Sequence, residues 1–462
     1  MSQQPSEAEE PLNIVILGAS FAGLSAAHHF FDIIVAKLGT GSAAPTYRVV
    51  VISPSTHIFW NIGAPRALVA PGLLPHKDAF VPIERGFRRH RGNQFTFIQG
   101  WATSLDTSAR TITVGLTSAI ATKRASQVSG HKRGASSTGS AGPKTSATPS
   151  SSKRGSQQTI PYHALILATG SQAHSPLLSL HGPHEKTIDA LDSFHARIPA
   201  AKSIVVCGGG PSGVETAGQL ATYLNKNPSL PFLVQNNSYH PKRITLITGN
   251  ARCLPNLPAS VGKKAEKKLR GLGVEILHNA RLVSTTEDKA RGTTVCVLSN
   301  NTTVTADLYV AATGVVPNTA YLSPKLLNSA GYVATNADTL RVEAAGPRVY
   351  AVGDCASYSK NYVLDVYDAV PVLMHNMLND LLAHELRLAS PYGGNEEEIA
   401  ALEDECYDQN PTDSQLIPIT RYGGVGVVFG YGVPSVMVHV LKGRDYRIGK
   451  AKVVVENGNN PY

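Results

Sequence analysis

Short apolar runs that end in glycine, each followed by apolar positions at helical spacing, recur along this chain. Ile204-Val205-Val206-Cys207 is continuous and β-branched, as a strand covered on both faces requires. After an intervening glycine-rich stretch, Val214, Ala217, Ala221 and Leu224 fall on one helical face. The pattern predicts strand, tight turn and helix in one unit. An earlier copy has a strand over 13–17, a turn over 18–23, and a helix over 22–36 presenting Leu24, Ala27, Phe31 and Ile34. Tyr47 to Ile52 and Arg243 to Thr248 supply the second strands of the two units. Residues 94–116 alternate as strands, and buried strands resume at 160–171, 308–312 and 348–355.

The turns add chemistry. Gly208, Gly210 and Gly213 stand at GxGxxG spacing. The first permits the turn, the second lets backbone approach a pyrophosphate, and the third lets helix pack on strand. The free N–H groups of the helix would face the phosphates. Gly18, Ser20 and Gly23 repeat the spacing with serine in the middle. Two such units imply two dinucleotides. Both second strands lack the acidic residue that binds an adenosine ribose, since Ser53 and Thr248 stand there. Arg252, just beyond, suits a 2′-phosphate but serves equally as a surface residue, so NADH and NADPH both stay open. Asp354 closes the strand at 348–355, where it reads either as a ligand at the sheet's C-terminal edge or as a helix cap.

At 462 residues the chain exceeds one ordinary hydrophobic core. No apolar run approaches a membrane span. The polar, acidic start MSQQPSEAEEP is wrong for a secretory signal, so the cytoplasm is the expected compartment. The net charge of +9 invites a nucleic-acid reading. Seven of those charges, however, lie in the Ser/Thr/Gly/Lys/Arg tract 118–158, which carries no acidic residue and reads as a solvated, disordered insertion. The five cysteines, Cys207, Cys253, Cys296, Cys355 and Cys406, form no CxxC pair and no metal-ligand spacing, which suggests reduced thiols.

Two stretches stay ambiguous on residues alone. Thr56 to Arg66 mixes Phe59, Trp60, Asn61 and Arg66, as suits either a loop against a flat ring or a filled core. Val433 to Val440 is apolar and precedes Lys442, Arg444, Arg447, Lys450 and Lys452. It fits a membrane interface or a homodimer contact equally well, and strand or helix equally well.

The motifs GASFAG, ILATGS, GGGPSGVE, ATGVVPN and VYAVGDC, in this order, resemble the FAD-dependent pyridine nucleotide-disulfide oxidoreductase superfamily. THIFWNIGAPRA and the tail GGVGVVFGYGVPSVMVHVLKGRDY resemble its apoptosis-inducing-factor-like branch, which includes NAD(P)H:quinone reductases. The resemblance implies that Gly18, Ser20, Gly23, Arg66 and Asp354 hold FAD, and that the backbone near Gln99 meets its adenine. It implies that Gly208, Gly210 and Gly213 hold NAD(P)H, with Glu215 on the nicotinamide side and Lys442 linked to activity. A helix starting near Pro371 would offer N–H groups to the reduced flavin.

The expected architecture is α/β, with two Rossmann-like domains plus a C-terminal α+β domain. An FAD part at 11–198 and 316–375 is split by an NAD(P)H part at 199–315, and an interface domain follows at 376–462. The expected reaction passes hydride from NAD(P)H to flavin. With no cysteine pair to take the electrons, an external quinone-like acceptor is expected, reached from the cytoplasm or from the surface of a membrane or lipid droplet. A ferredoxin- or rubredoxin-type reductase, and a weakly catalytic redox-sensing or nucleic-acid-binding flavoprotein, are the other readings.

Overall fold

A computed structural model describes residues 10–39, 44–90, 92, 94–117, 156–226, 241–390 and 392–462. Two parallel sheets carry the molecule, as the paired strand-turn-helix units require. The first orders Val349–Ala351, Ala164–Leu167, Leu12–Leu17, Tyr47–Ser53 and Phe95–Asp106 in parallel, and extends antiparallel through Thr111–Leu116 and Gln157–Pro161. Ile14 sits between Val49 and Ala164, all three fully buried. Such coverage on both faces is why these strands read as unbroken apolar runs. Along Thr111–Leu116, by contrast, only alternate residues are buried, because one face of that ladder is open.

The second sheet orders Glu275–Leu277, Arg243–Ile247, Ser203–Cys207 and Leu308–Ala311, all parallel. An antiparallel meander, Leu282–Asp288, Thr293–Leu298 and Thr303–Ala306, packs on it around Val205, Cys207, Cys296 and Leu298. Val315–Pro317 pairs with Ser171–Ala173 and so stitches the two sheets' chains together. The C-terminal sheet, Gln415–Thr420, Gly423–Val428 and Tyr431–Gly432, lies against helix Pro211–Ala221.

Several expectations need correction. The first helix runs Phe21–His29 and continues as a wider π turn over Phe30–Ile34. That extra residue in the turn slips the buried face, so Phe30 enters the core while Phe31 stacks on His90 at 3.9 Å. Most of the expected disordered insertion, 118–155, lies outside the described residues, but Gln157 and Gln158 already belong to a strand. Pro371 does not start a helix: it lies well inside Val363–Ala389, which also runs across the boundary expected at 375. The valine-rich tail, left between strand and helix, forms the short helix Ser435–Val438 and the turn His439–Gly443.

Candidate functional site: a cavity between two glycine cradles

The two glycine turns are built alike. Gly18 has φ +107°, and a Cβ there would stand 2.1 Å from the Ala168 carbonyl oxygen. Gly208 has φ +126°, with the Ala312 oxygen at 1.9 Å from the same position. Only glycine meets both demands. In each cradle the third glycine, Gly23 or Gly213, presses on the carbonyl of the first. Ser20 and Gly210 hold the extended N-cap positions of the helices Phe21–His29 and Pro211–Ala221; the Ser20 hydroxyl does not cap its helix, and glycine has no side chain to cap the other. The first-turn N–H groups are thus left for a ligand. Thr248, fully buried, supports the second turn from behind Gly209.

Both units open on one cavity of about 1450 Å³. Gly18, Ser20 and Ser53 line it from the first unit, and Pro211, Ser212 and Glu215 from the second. Asp354 lines it at the C-terminal edge of the first sheet and accepts a 3.0 Å hydrogen bond from Ser171 Oγ. Burial raises its carboxyl above the ordinary carboxylate range. The first turn of helix Val363–Ala389 also borders the cavity through Val363 and Asp365, so this terminus, not Pro371, offers N–H groups there. Burial raises Asp365 too, while Lys360 N–H and Gln409 Nε2 donate to its Oδ2.

The other wall is the C-terminal segment. Lys442 Nζ donates to Glu215 Oε1 at 2.7 Å and to the Leu416 carbonyl at 3.1 Å. The Glu215 side chain is only 4% exposed and that of Lys442 14%. Burial pushes the Glu215 carboxyl up, opposed by the Lys442 charge, and the Glu215 carboxylate in turn holds the Lys442 ammonium protonated. The sequence expectation placed Glu215 and Lys442 in one site although they stand 227 positions apart, and the fold brings them into contact.

A family model described as pyridine nucleotide-disulphide oxidoreductase matches residues 12–377. The chain belongs to that family. Members of the pyridine nucleotide-disulphide oxidoreductase family use FAD and NAD(P)H. The residues present fit both groups: each turn has a first position that admits nothing but glycine, Pro211 and Ser212 just beyond the second turn border the cavity although Gly208, Gly210 and Gly213 do not, and the half-buried Asp354 carboxylate faces it. Among relatives, oxidoreductase phnG of Penicillium herquei is 33% identical over 441 residues, covering 94% of this chain and 93% of that one. Human ferroptosis suppressor protein 1 is 26% identical over 299 residues, covering 62% and 70%. The fold is shared with sulfide:quinone oxidoreductase of Aquifex aeolicus, at a TM-score of 0.61 and 13% identity over 97% of this chain and 92% of the other. NDH2 of Plasmodium falciparum, solved with NADH, superposes at 0.60 and 13% over 98% and 99%.

Two residues expected at the flavin, Arg66 and Gln99, do not themselves border this cavity. Arg66 Nε donates to Gln219 Oε1 at 3.0 Å, its two terminal nitrogens to the carbonyls of Arg444 at 2.9 Å and Gly443 at 2.6 Å, and Tyr446 lies under it at 4.6 Å. A buried guanidinium so engaged joins three parts of the chain. Gln99 is also off the wall, its side chain donating to the Pro54 carbonyl and its own carbonyl accepting from Thr117 N–H. Its successors Gly100 to Ala102 border the cavity instead. Arg252 folds onto its own loop, donating to the carbonyls of Leu254 and Pro255. Of the ambiguous aromatics, Trp60 is a core residue, fully buried with Nε1 donating to the Tyr446 carbonyl at 2.8 Å, whereas Phe59 is buried yet borders the cavity.

Three features escaped the sequence reading. Tyr446 is fully buried with its hydroxyl facing Glu215, an arrangement only the folded tail creates. Tyr462 borders the cavity, brought back by a chain reversal after helix Lys450–Asn457. The thiols of Cys207 and Cys296 meet in the core of the second sheet, away from the cavity, and no spacing signals a pair so far apart.

Proposed function

We propose that this chain oxidises NAD(P)H through FAD and delivers the electrons to a quinone-like acceptor. The observation that carries the reading is one cavity bordered by the first glycine cradle and by the start of the helix that follows the second, with the Glu215–Lys442 pair on its wall. FAD supplies the redox chemistry, accepting hydride from NAD(P)H and releasing electrons onward. The chain supplies binding and electrostatics. Gly18, Ser20 and Gly23 let the first helix N-terminus approach the FAD pyrophosphate, and Asp354 holds the ribityl hydroxyls. Gly208, Gly210 and Gly213 do the same for NAD(P)H. Glu215 accepts from the nicotinamide carboxamide, and Lys442 fixes that carboxylate in place.

On this reading 11–198 with 316–375 forms the FAD part, 199–315 the NAD(P)H part, and 376–462, continuous with the FAD part through helix Val363–Ala389, the segment that closes the site. None of the five cysteines borders the cavity, which favours an external acceptor over an internal disulfide. An apolar acceptor suits the wall, where Leu416, Val428, Phe429 and Leu441 stand. Phe429 is also 63% exposed and leads onto Tyr431, Val436, Met437 and Val440, all exposed. Arg421 and Arg444 are exposed on the same C-terminal segment. An apolar patch with cations around it favours contact with an anionic membrane surface, from which a lipid quinone enters. No helix among the described residues is long and apolar enough to cross a membrane.

Anaerobic stopped-flow mixing tests the reading. NADH or NADPH is expected to bleach the flavin absorbance, and a short-chain quinone to restore it faster than oxygen does. Flavin that bleaches but is reoxidised no faster by quinone than by oxygen overturns the quinone assignment.

A further inference from the structure

A second cavity, of about 250 Å³, lies apart from the cofactor site and shares no lining residue with it. Arg341, Arg348 and Arg387 line it together with Asp380 and Asp404. Both acids are already engaged. Arg341 donates to Asp380 Oδ1 at 3.0 Å and through both terminal nitrogens to Asp404, and the Tyr350 hydroxyl donates to Asp380 Oδ2. One guanidinium thus serves two carboxylates, and the group is left with a single net negative charge.

Arg348 and its neighbour Arg110 are held differently. Their φ values are 61° and 51°, and both donate to one carbonyl, that of His163, at 3.0 Å and 2.6 Å. Non-glycine residues in the left-handed region are strained, and such strain gathers where ligands are held. Here it brings two cations onto one acceptor. Arg387 reaches the same cavity from the last turn of helix Val363–Ala389. Among the described residues no carboxylate lies in ion-pair range of Arg110, Arg348 or Arg387, and the terminal nitrogens of Arg348 donate to nothing. Glu385, on the same helix, is occupied by the Tyr47 hydroxyl and the Gly39 N–H. The Leu386 carbonyl, which would repel an anion, is capped by Ser390 N–H at 3.1 Å and Asn395 Nδ2 at 2.9 Å.

Neighbouring groups register the excess of positive charge. Burial and Arg110 both disfavour the charge on Arg348. Burial, with Arg348, His384 and Arg110 around it, pushes the His163 ring down to about 3, and burial with Arg348 and Arg387 lowers His384. A half-buried cation without a counterion gains when an anion reaches it. The guanidinium fork matches the oxygen edge of a phosphate. A cavity smaller than the roughly 300 Å³ at which ordinary ligand pockets begin suits a compact anion rather than a nucleotide.

We propose that this cavity is a binding site for a phosphate dianion, free or as the head of a small monoester, held between Arg348 and Arg387. The inference stands apart from the functional reading above and shares no residue with it.

The test is calorimetric titration of the flavin-loaded protein with inorganic phosphate and with glycerol 3-phosphate, sodium chloride keeping ionic strength constant, beside thermal unfolding in the same solutions. One equivalent should bind and raise the unfolding midpoint. Arg387→Met, an exposed substitution, should weaken binding about tenfold and remove most of the thermal gain. Arg348→Asn, chosen because asparagine tolerates left-handed backbone, should do at least as much; should it fail to fold, Arg387→Met decides alone. Tighter binding of the monoester assigns the site to a phosphorylated metabolite, and equal or tighter binding of inorganic phosphate assigns it to the free ion; both support the site. Phosphate binding that Arg387→Met retains in full places the anion elsewhere and overturns it. A thermal gain that chloride alone reproduces, or no binding by the wild type, overturns it as well.

Discussion

Replacing Lys442 by methionine removes one partner of a buried ion pair and leaves the other behind. The Glu215 side chain is 4% exposed, so water cannot take over from the ammonium. Losing one member of such a pair typically costs about 3–5 kcal/mol. The carboxyl can limit the damage by binding a proton. From its ordinary value of 4.5, that costs about 1.4 kcal/mol for each pH step, or about 3.4 kcal/mol at pH 7 and about 1.4 kcal/mol near pH 5.5. The sign follows: the variant's folded state holds a proton that the unfolded state has released, so its stability falls as pH rises above 4.5. Urea unfolding of the wild type, Lys442→Met and the double variant Lys442→Met/Glu215→Gln, run at about pH 5.5 and about pH 7, reads this directly. The single variant's deficit should grow by about 2 kcal/mol between those two conditions, and the double variant should recover most of it and show little pH dependence. A deficit that is flat with pH, or a double variant as unstable as the single one, would refute the ion pair as drawn.

Asp354→Ala should emerge from purification with little flavin, while Asp354→Asn retains part of it; the ratio of flavin to protein absorbance decides, and full retention by the alanine variant removes Asp354 from the flavin site. Arg66→Met strands the carbonyls of Gly443 and Arg444 and the Gln219 side chain, so it should cost about 3 kcal/mol of stability. Below its unfolding transition it should keep its flavin, and loss of flavin from folded protein would restore Arg66 as a flavin contact. His57 stacks on His184 at 3.8 Å, and burial, aided by His184, lowers its ring from 6.5 to about 4. Its neutral form stabilises the fold above pH 6.5, and that contribution is lost as pH falls toward about 4. After allowance for its partly exposed ring the effect is about 1 kcal/mol, and His57→Phe should flatten the acid limb of the stability curve by that amount.

The cradles were legible because their determinants are local. A left-handed turn with a carbonyl about 2 Å from any Cβ admits one residue type, and Gly18 and Gly208 announce it. Strands buried on both faces leave equally plain runs. What failed to show depends on long-range placement. Arg66 lies in a motif shared with flavin proteins, yet its partners are 153 or more positions away and draw its guanidinium inward. Pro371 reads as a helix start by its usual preference, but the apolar spacing upstream from Val363 carries the helix through it. The valines at 433–440 obey no single period because the helix they form is four residues long before it widens into a turn. Tyr462 gives no signal at all, since its meaning comes from the chain reversal that returns it to Glu215.

The engagement of Arg66 also sets how the protein can open. One side chain from the loop after the first unit grips helix Pro211–Ala221 through Gln219 and the last segment through Gly443 and Arg444. Swinging the second sheet away from the first would tear three charge-assisted bonds inside an interior that water does not reach. Substrates then come and go at the rim of the cavity, with the two halves latched as a single body throughout each cycle.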